Sequence, residues 1–416
     1  LGRTLIEKII AAHTEDEVAP GGIVWMDLDL RTARDFGGAN VVGHFKREYQ
    51  KENVDDPAKT FFTFDCNVPA NTIPYADNQM ICRLFAREQE LKVYDVDAGI
   101  GSHVIMEQGL CVPGCTVVGT DSHLNIVGAV GAFGQGMGDA DIAFTFRTGR
   151  TWFQVPPTIR IEVSGELAHP ATAKDLTLAV TGLLGASGAL GAAVEYHGEA
   201  IEDLDLDERI TLSSMATEVG AIAGLIPPNT DVMAYCRKRS GRDDVEPVWP
   251  DADAEYVRSE TLDASAIRPM VSRPGAPSDV VPVRDVGNVS VDSVFIGSCT
   301  NGRASDFESA LGVFDGRSVA SGVMCRVVPA TMEVWTQMLD SGMIAALNRA
   351  GVIVSNPGCG GCASGQIGMT GYGEVQVSTS NRNFHGKQGH GETYLASPLT
   401  AAASAVLGRI ASADML

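Results

Sequence analysis

Two cysteine-bearing loops constrain this chain more than any other feature. Gly297-Ser298-Cys299-Thr300-Asn301-Gly302-Arg303 and Asn356-Pro357-Gly358-Cys359-Gly360-Gly361-Cys362 each follow a β-branched apolar run, residues 291–296 and 352–354, that breaks into small residues. The pattern predicts buried strands with the cysteines on loops at their carboxyl ends. One Cys-x-x-Cys plus one distant cysteine makes three thiolates. A structural zinc site takes four protein ligands, whereas an iron-sulfur cube held by three thiolates leaves one iron open to substrate or water. On spacing alone the set also fits a redox dithiol, or a structural zinc site completed by a histidine.

The last third of the chain alternates strand and helix. Strands are predicted at residues 291–296, 325–329, 351–354 and 374–378, with helical stretches at 304–313 and 331–348. Such alternation argues for a parallel sheet covered on both faces. The cysteines and the pair Asn381-Arg382 fall just beyond strand ends, where an open α/β sheet gathers its ligands.

Earlier segments repeat the theme. Residues 4–12 have helical apolar spacing, and 23–30 reads as a strand after Pro20-Gly21-Gly22. A strand at 61–64 ends on Asp65-Cys66-Asn67, residues 93–101 lead to Ser102-His103, and a strand at 115–119 stops at Thr120-Asp121-Ser122-His123. Asp121 accepting from His123 or His103 would fix an imidazole tautomer for acid-base work, although Asp and Ser also cap helices. The glycine-rich residues 128–138 lack a dinucleotide fingerprint and read as close packing of a helix on the sheet. Residues 158–165 alternate as a half-buried strand opening a second domain. Residues 173–184 and 213–225 have helical periodicity, and 269–282, with four prolines, reads as a linker.

Composition narrows the class. Of 416 residues, 44% are hydrophobic and 20% charged, enough for two or three globular domains. Lys+Arg 31 against Asp+Glu 52 leaves a net charge of −21, which repels nucleic acid and anionic membranes, so neither is expected as a partner. No apolar run is long enough for a membrane span, and nine scattered cysteines suit a reducing, cytoplasmic setting better than a disulfide framework.

Taken together, Thr4-Leu5-Ile6-Glu7-Lys8-Ile9, Gly119-Thr120-Asp121-Ser122-His123, the two cysteine loops, Ser380-Asn381-Arg382-Asn383-Phe384 and Tyr394-Leu395-Ala396-Ser397-Pro398 resemble, in this order along the chain, the aconitase superfamily. The likeness is greatest to the large subunits of the 3-isopropylmalate dehydratase and homoaconitase type. It implies three α/β domains around a central iron-sulfur cluster, at residues 1–157, 158–268 and 288–416 with a linker at 269–287. The swivelling fourth domain of full-length members is expected to be absent, with a separate small subunit supplying it, and the chain alone is expected to be inactive.

The implied reaction is elimination and re-addition of water on a substituted malate or related 2-hydroxy di- or tricarboxylic acid. The implied cofactor is a 4Fe-4S cluster on Cys299, Cys359 and Cys362 with one iron not bound by a protein thiolate. Asp65, His103, Asp121, Ser122, His123 and Glu218 take catalytic roles by position in the family pattern, and Asn381, Arg382 and Lys387 hold carboxylates. A glutamate on an amphipathic helix is more often merely solvated, which is the plainer reading of Glu218. Three positions depart from the family: Cys66 stands for a histidine, Ser214 for an asparagine and Lys387 for an arginine. These departures lead us to expect a substrate other than 3-isopropylmalate, homocitrate or citrate, with authentic 3-isopropylmalate dehydratase as the alternative. A non-catalytic scaffold or iron sensor is the other class of reading; the three intact cysteines argue against it.

Overall fold

The structure, a computed structural model, describes residues 2–362 and 366–416. Three sheets with parallel cores dominate it. The first has five strands in the order Lys92–Tyr94, Thr60–Thr63, Leu30–Arg34, Thr116–Gly119 and Phe133–Gly136, all parallel. The second has four, Ala223–Leu225, Ala193–His197, Thr158–Ser164 and Arg258–Asp263, also parallel. The third has seven, and its parallel core runs Glu392–Ala396, Val375–Ser378, Ser293–Gly297, Met324–Val328 and Val352–Val354.

Central strands such as Thr60–Thr63, Thr116–Gly119 and Ser293–Gly297 are buried at every position, as expected of parallel strands covered by helices on both faces. The small antiparallel pair Ile23–Asp27 and Arg150–Gln154 instead alternates exposed and buried, with Trp25 opposite Trp152 on its outer face. Among the described residues no helix is long and apolar enough to cross a membrane.

Several expectations are redrawn by local chemistry. The strand expected at 23–30 is two strands in different sheets, Ile23–Asp27 and Leu30–Arg34. The chain turns between them at Asp29, whose carboxylate accepts the Thr116 N–H at 2.9 Å. The helix expected at 213–225 is the end of Leu206–Ser214, a 3-10 turn over Met215–Val219, and a strand at Ala223–Leu225. Gly220, at φ 82°, makes the reversal that periodicity alone does not reveal. The helix expected at 331–348 breaks at Ser341-Gly342 into Met332–Asp340 and Met343–Arg349.

Nor is the stretch at 269–282 featureless. Met270–Ser272 and Val280–Pro282 pair antiparallel at one edge of the seven-stranded sheet, and Pro282 ends the outermost strand, where proline is tolerated.

The glycine-rich residues near 128 do pack closely, but against a different sheet. A Cβ on Gly128 would lie 1.8 Å from the carbonyl oxygen of Gly224, and the Gly128 carbonyl accepts the Ile226 N–H at 3.0 Å. Backbone therefore meets backbone where the first α/β unit touches the second. Gly128→Ala is expected to overpack this contact and to destabilise the chain by ~1–3 kcal/mol, measured as a lowered urea midpoint.

Candidate active site

The three loops that end strands Leu30–Arg34, Thr60–Thr63 and Thr116–Gly119 meet the cysteine loops of the seven-stranded sheet. Cys299 follows the strand Ser293–Gly297, and its approach is unusual. A Cβ on Gly297 would lie 2.3 Å from the Val328 carbonyl, and Ser298, fully buried, holds a left-handed φ of 76°. Left-handed backbone costs a serine about 1 kcal/mol, so the loop around it over-determines the conformation. Its hydroxyl helps by accepting the Thr300 N–H at 3.2 Å.

Cys359 is held by its N–H donating to the Asp65 carbonyl at 2.9 Å. Cys362 ends the 3-10 turn Gly360–Cys362. Cys299 and Cys359 are buried, Cys362 half-buried, all three pack on one apolar core with Ile100 and Ala330, and all are free thiols. The Asn381 amide donates to Cys299 Sγ at 3.2 Å and Arg34 Nη2 to Cys359 Sγ at 2.6 Å. Both donors stabilise sulfur that carries negative charge. Burial pushes the Cys299 thiol well up, and the Cys362 and Cys359 sulfurs beside it add to the rise.

Among the described residues the one group of three ligating atoms within 4.8 Å of each other is Asp65, Cys66 and Cys359. The three cysteines are therefore spread wider than the shell of a single zinc ion, whose thiolates sit ~2.3 Å from the metal. A larger cluster with sulfur-directed donors around it fits this arrangement.

Beside the thiols sits a cation that sequence reading missed. Arg34 ends its strand almost buried, with Nε donating to Asp65 Oδ1 at 2.7 Å, Nη1 to Asp121 Oδ1 at 2.9 Å and Nη2 to Cys359. Its signal was hidden because the strand was read as ending at residue 30. The neighbouring Asp35, fully buried, accepts N–H groups of Asp65 and Cys66 on Oδ1 and that of Asn67 on Oδ2, pinning the loop.

The two carboxyls that share Arg34 are pushed apart. Burial drives Asp65 up despite Arg34, whereas Asp121, equally buried, is carried below the ordinary range by Arg34, then His123. Opposed shifts of this kind divide proton-holding from charge-holding roles.

A second array faces the first. His123 Nε2 lies 2.8 Å from Glu218 Oε1, and Arg382 Nε donates to the same oxygen at 2.8 Å. Arg382 Nη1 reaches Ser122 Oγ at 3.2 Å. Glu218 is thus buried and paired, not solvated. The expected tautomer partner also changes: Asp121 accepts the backbone N–H of His123 at 3.0 Å, while Glu218 holds the imidazole.

His103 stands on the helix Gly101–Glu107, and its Nε2 donates to the Cys299 carbonyl at 2.8 Å. A carbonyl only accepts, so Nε2 carries the proton and Nδ1 is left unpartnered among the described residues. Burial, then the Arg303 guanidinium, push His103 down to about 4, so it is neutral at neutral pH.

Of the three departures, Cys66 is buried beside Asp65 and Cys359, with its thiol pushed well up by the Cys359 sulfur and by burial. Ser214 is buried, donates to the Thr211 carbonyl at 2.9 Å and lies 3.1 Å from the Thr300 hydroxyl, from which it can accept, so it braces the Cys299 loop. Lys387 is half-buried and forms no ion pair among the described residues.

Lys174 was also missed, because it lies inside an ordinary amphipathic pattern. From the helix Ala173–Leu184 its ammonium donates to the Thr379 and Ser380 carbonyls, both at 2.9 Å, just before Asn381. Burial pushes it down to about 7 from 10.5. Unfolded chain binds that proton up to its ordinary pKa and folded chain releases it earlier, so its contribution to stability rises between these values and is lost as pH falls toward 7. The stability gap between wild type and Lys174→Met is expected to widen in favour of wild type by ~2–3 kcal/mol from pH 7 to 9, read from urea midpoints at each pH.

The chain matches the aconitase family (aconitate hydratase) over residues 7–408. It is 43% identical over 413 residues to the 3-isopropylmalate dehydratase large subunit 1 of Methanopyrus kandleri, covering 99% of this chain and 98% of that one. It is 40% identical over 415 residues to the probable methanogen homoaconitase large subunit of Methanothermobacter thermautotrophicus, covering 98% and 97%. The crystal structure of Thermococcus kodakaraensis aconitase X in its holo form aligns with TM-score 0.54 at 11% identity, over 91% of this chain and 89% of that one, a likeness of fold alone. With a family match across nearly its whole length and full-length relatives at about 40% identity, this chain belongs to the aconitase family, as a large-subunit hydro-lyase of the dehydratase type.

Proposed function

We propose that this chain is the cluster-bearing subunit of a two-chain dehydratase acting on a substituted malate or a related 2-hydroxy di- or tricarboxylic acid. One observation carries the reading. Three buried or half-buried free thiols, Cys299, Cys359 and Cys362, adjoin a paired array of carboxylates, imidazole and guanidinium groups. A 4Fe-4S cluster held by these three cysteines would supply Lewis-acid polarisation of a substrate hydroxyl.

The rest is done by side chains. Arg382, one-fifth exposed and already oriented by Glu218 and Ser122, presents its remaining N–H groups to a substrate carboxylate, with Lys387 as a second cation. His123, hydrogen-bonded to Glu218, exchanges the proton with the leaving oxygen; burial pushes its pKa down, and the Glu218 carboxylate opposes that shift, stabilises the imidazolium as it forms and orients water. His103, neutral and committed to the Cys299 carbonyl, is a positioning residue. The proton role that the family resemblance gives to a histidine at position 66 thus passes to His123. Arg34 keeps Asp65 and Asp121 in register as the crevice closes.

A separate small subunit would cover the crevice and exclude water; relatives named as large subunits support this partner. The names of those relatives also favour a second reading of the substrate, 3-isopropylmalate itself. Against it stand Lys387, a point charge where the family pattern has a planar fork, and Cys66 in place of an imidazole.

The test is anaerobic reconstitution with iron, sulfide and the small subunit, followed by kcat/KM over a panel of substituted malates monitored by alkene absorbance. Turnover is expected only with both chains, and activity from the isolated chain, free of co-purified partner, would refute the two-chain reading. Cys299→Ser is expected to lose visible absorbance and activity together; a full cluster in that variant would overturn the ligand assignment. Wild type is expected to prefer a malate other than 3-isopropylmalate, homocitrate and citrate, with the ranking shifted by Lys387→Arg combined with Cys66→His. A more than tenfold preference for 3-isopropylmalate would assign the second reading instead, and an unmoved ranking would show that positions 66 and 387 carry no specificity.

A further inference from the structure

We infer that Cys66 and Cys359 close into a reversible disulfide when the chain is free of its cluster, so that Cys66 shields a cluster ligand from irreversible oxidation. The two sulfurs and an Asp65 oxygen lie within 4.8 Å of one another, and both cysteines are buried, at 4% and 5% exposure. No other group of three such ligating atoms is as tight among the described residues.

The backbones that carry them are fixed. Cys359 N–H donates to the Asp65 carbonyl at 2.9 Å and Cys66 N–H to Asp35 Oδ1 at 3.0 Å. Side-chain rotation alone then has to bring the sulfurs to the ~2.05 Å of a disulfide.

A metal ion is the competing occupant of this corner, and Arg34 disfavours it. The guanidinium already donates to both Asp65 and Cys359 Sγ, supplying the positive charge that a cation would bring. What remains is thiol chemistry.

The oxidant is a peroxide. The Cys359 thiol gives up its proton and its sulfur attacks one oxygen of hydrogen peroxide, an S–O bond forms, the O–O bond breaks, and the departing hydroxide takes up that proton to leave as water. The Cys66 thiol then gives up its proton as its sulfur attacks the sulfenic sulfur; the S–S bond forms, the S–O bond breaks, and that proton leaves with the hydroxide as a second water. Two thiols lose two electrons and two protons, and the peroxide is reduced to water. A small thiol reverses the link by exchange. Without Cys66 the sulfenic acid is open to further peroxide, which carries it to sulfinate.

The experiment takes the full chain, strips it of iron anaerobically with a chelator, and exposes it to hydrogen peroxide. Alkylation, digestion and mass spectrometry then locate every disulfide. The expected product in wild type is a peptide linking Cys66 to Cys359, and dithiothreitol followed by iron and sulfide should restore most of the visible absorbance. In Cys66→Ser and Cys66→Ala, Cys359 is expected as sulfinate or sulfonate, with most of that recovery lost. Cys359 joined to Cys362 or Cys299, or left unlinked in wild type, overturns the inference; so does equal recovery in the variants. The recovery arm rests on Cys359 being a cluster ligand. Cluster uptake by chain never exposed to peroxide tests that assignment separately, while the linked peptide in wild type stands or falls without it.

Discussion

The Arg34 guanidinium ties the first sheet to the cysteine loops at the centre of the crevice. Arg34 comes from the first sheet, binds carboxylates at the ends of the two neighbouring strands, and reaches a cysteine sulfur on a loop of the seven-stranded sheet. Two carboxylates buried this deeply would repel one another by several kcal/mol without a cation between them. The fork geometry of arginine matters as much as its charge, since three of its N–H groups point in three fixed directions. Asp35 adds a second restraint by collecting the N–H groups of the loop that carries Asp65 and Cys66. The position of Cys359 is therefore set by residues more than 290 positions away in the chain, through the Asp65 carbonyl and the Arg34 side chain.

A comparable arrangement runs through the other side of the site. Lys174 reaches from the second α/β unit to the carbonyls just before Asn381, Ser214 braces the Cys299 loop through Thr300, and Glu218 joins His123 to Arg382. Each of these links crosses between units, and each is buried or half-buried. Their polar atoms are satisfied by one another more than by water, so the crevice is a network in which the loss of one partner strands the next.

The alternation of strand and helix in the last third was legible because its parallel strands are short apolar runs that stop abruptly, buried throughout at Ser293–Gly297 and half exposed at the edge strand Val352–Val354. The cysteine loops, Asp121, His123 and Arg382 were legible through motifs at strand ends, and Glu218 only through the family resemblance. Arg34 and Lys174 were not. A charged residue buried by distant partners leaves no mark on local periodicity, and its partners lie on loops whose meeting depends on the packing of whole sheets. The reversal at Gly220 escaped for a related reason: helical spacing of apolar residues persists through a 3-10 turn and a short buried strand. The prolines of 269–282 suggested a linker because three of them flank the two strands and the fourth, Pro282, ends the outermost one, which needs a ladder on one side only.

The left-handed serine before Cys299 bears on how this scaffold can be engineered. Replacing Ser298 with glycine would remove the steric cost of its backbone, but glycine would also widen the range of conformations open to the loop that aims Cys299 and delete the hydroxyl that receives the Thr300 N–H. A screen for thermal tolerance would rank that change by the strain it relieves. A screen for metal-cluster retention would rank it by the aim it loosens. Position 298 is thus a place where selection for a sturdier chain and selection for a working one pull in opposite directions.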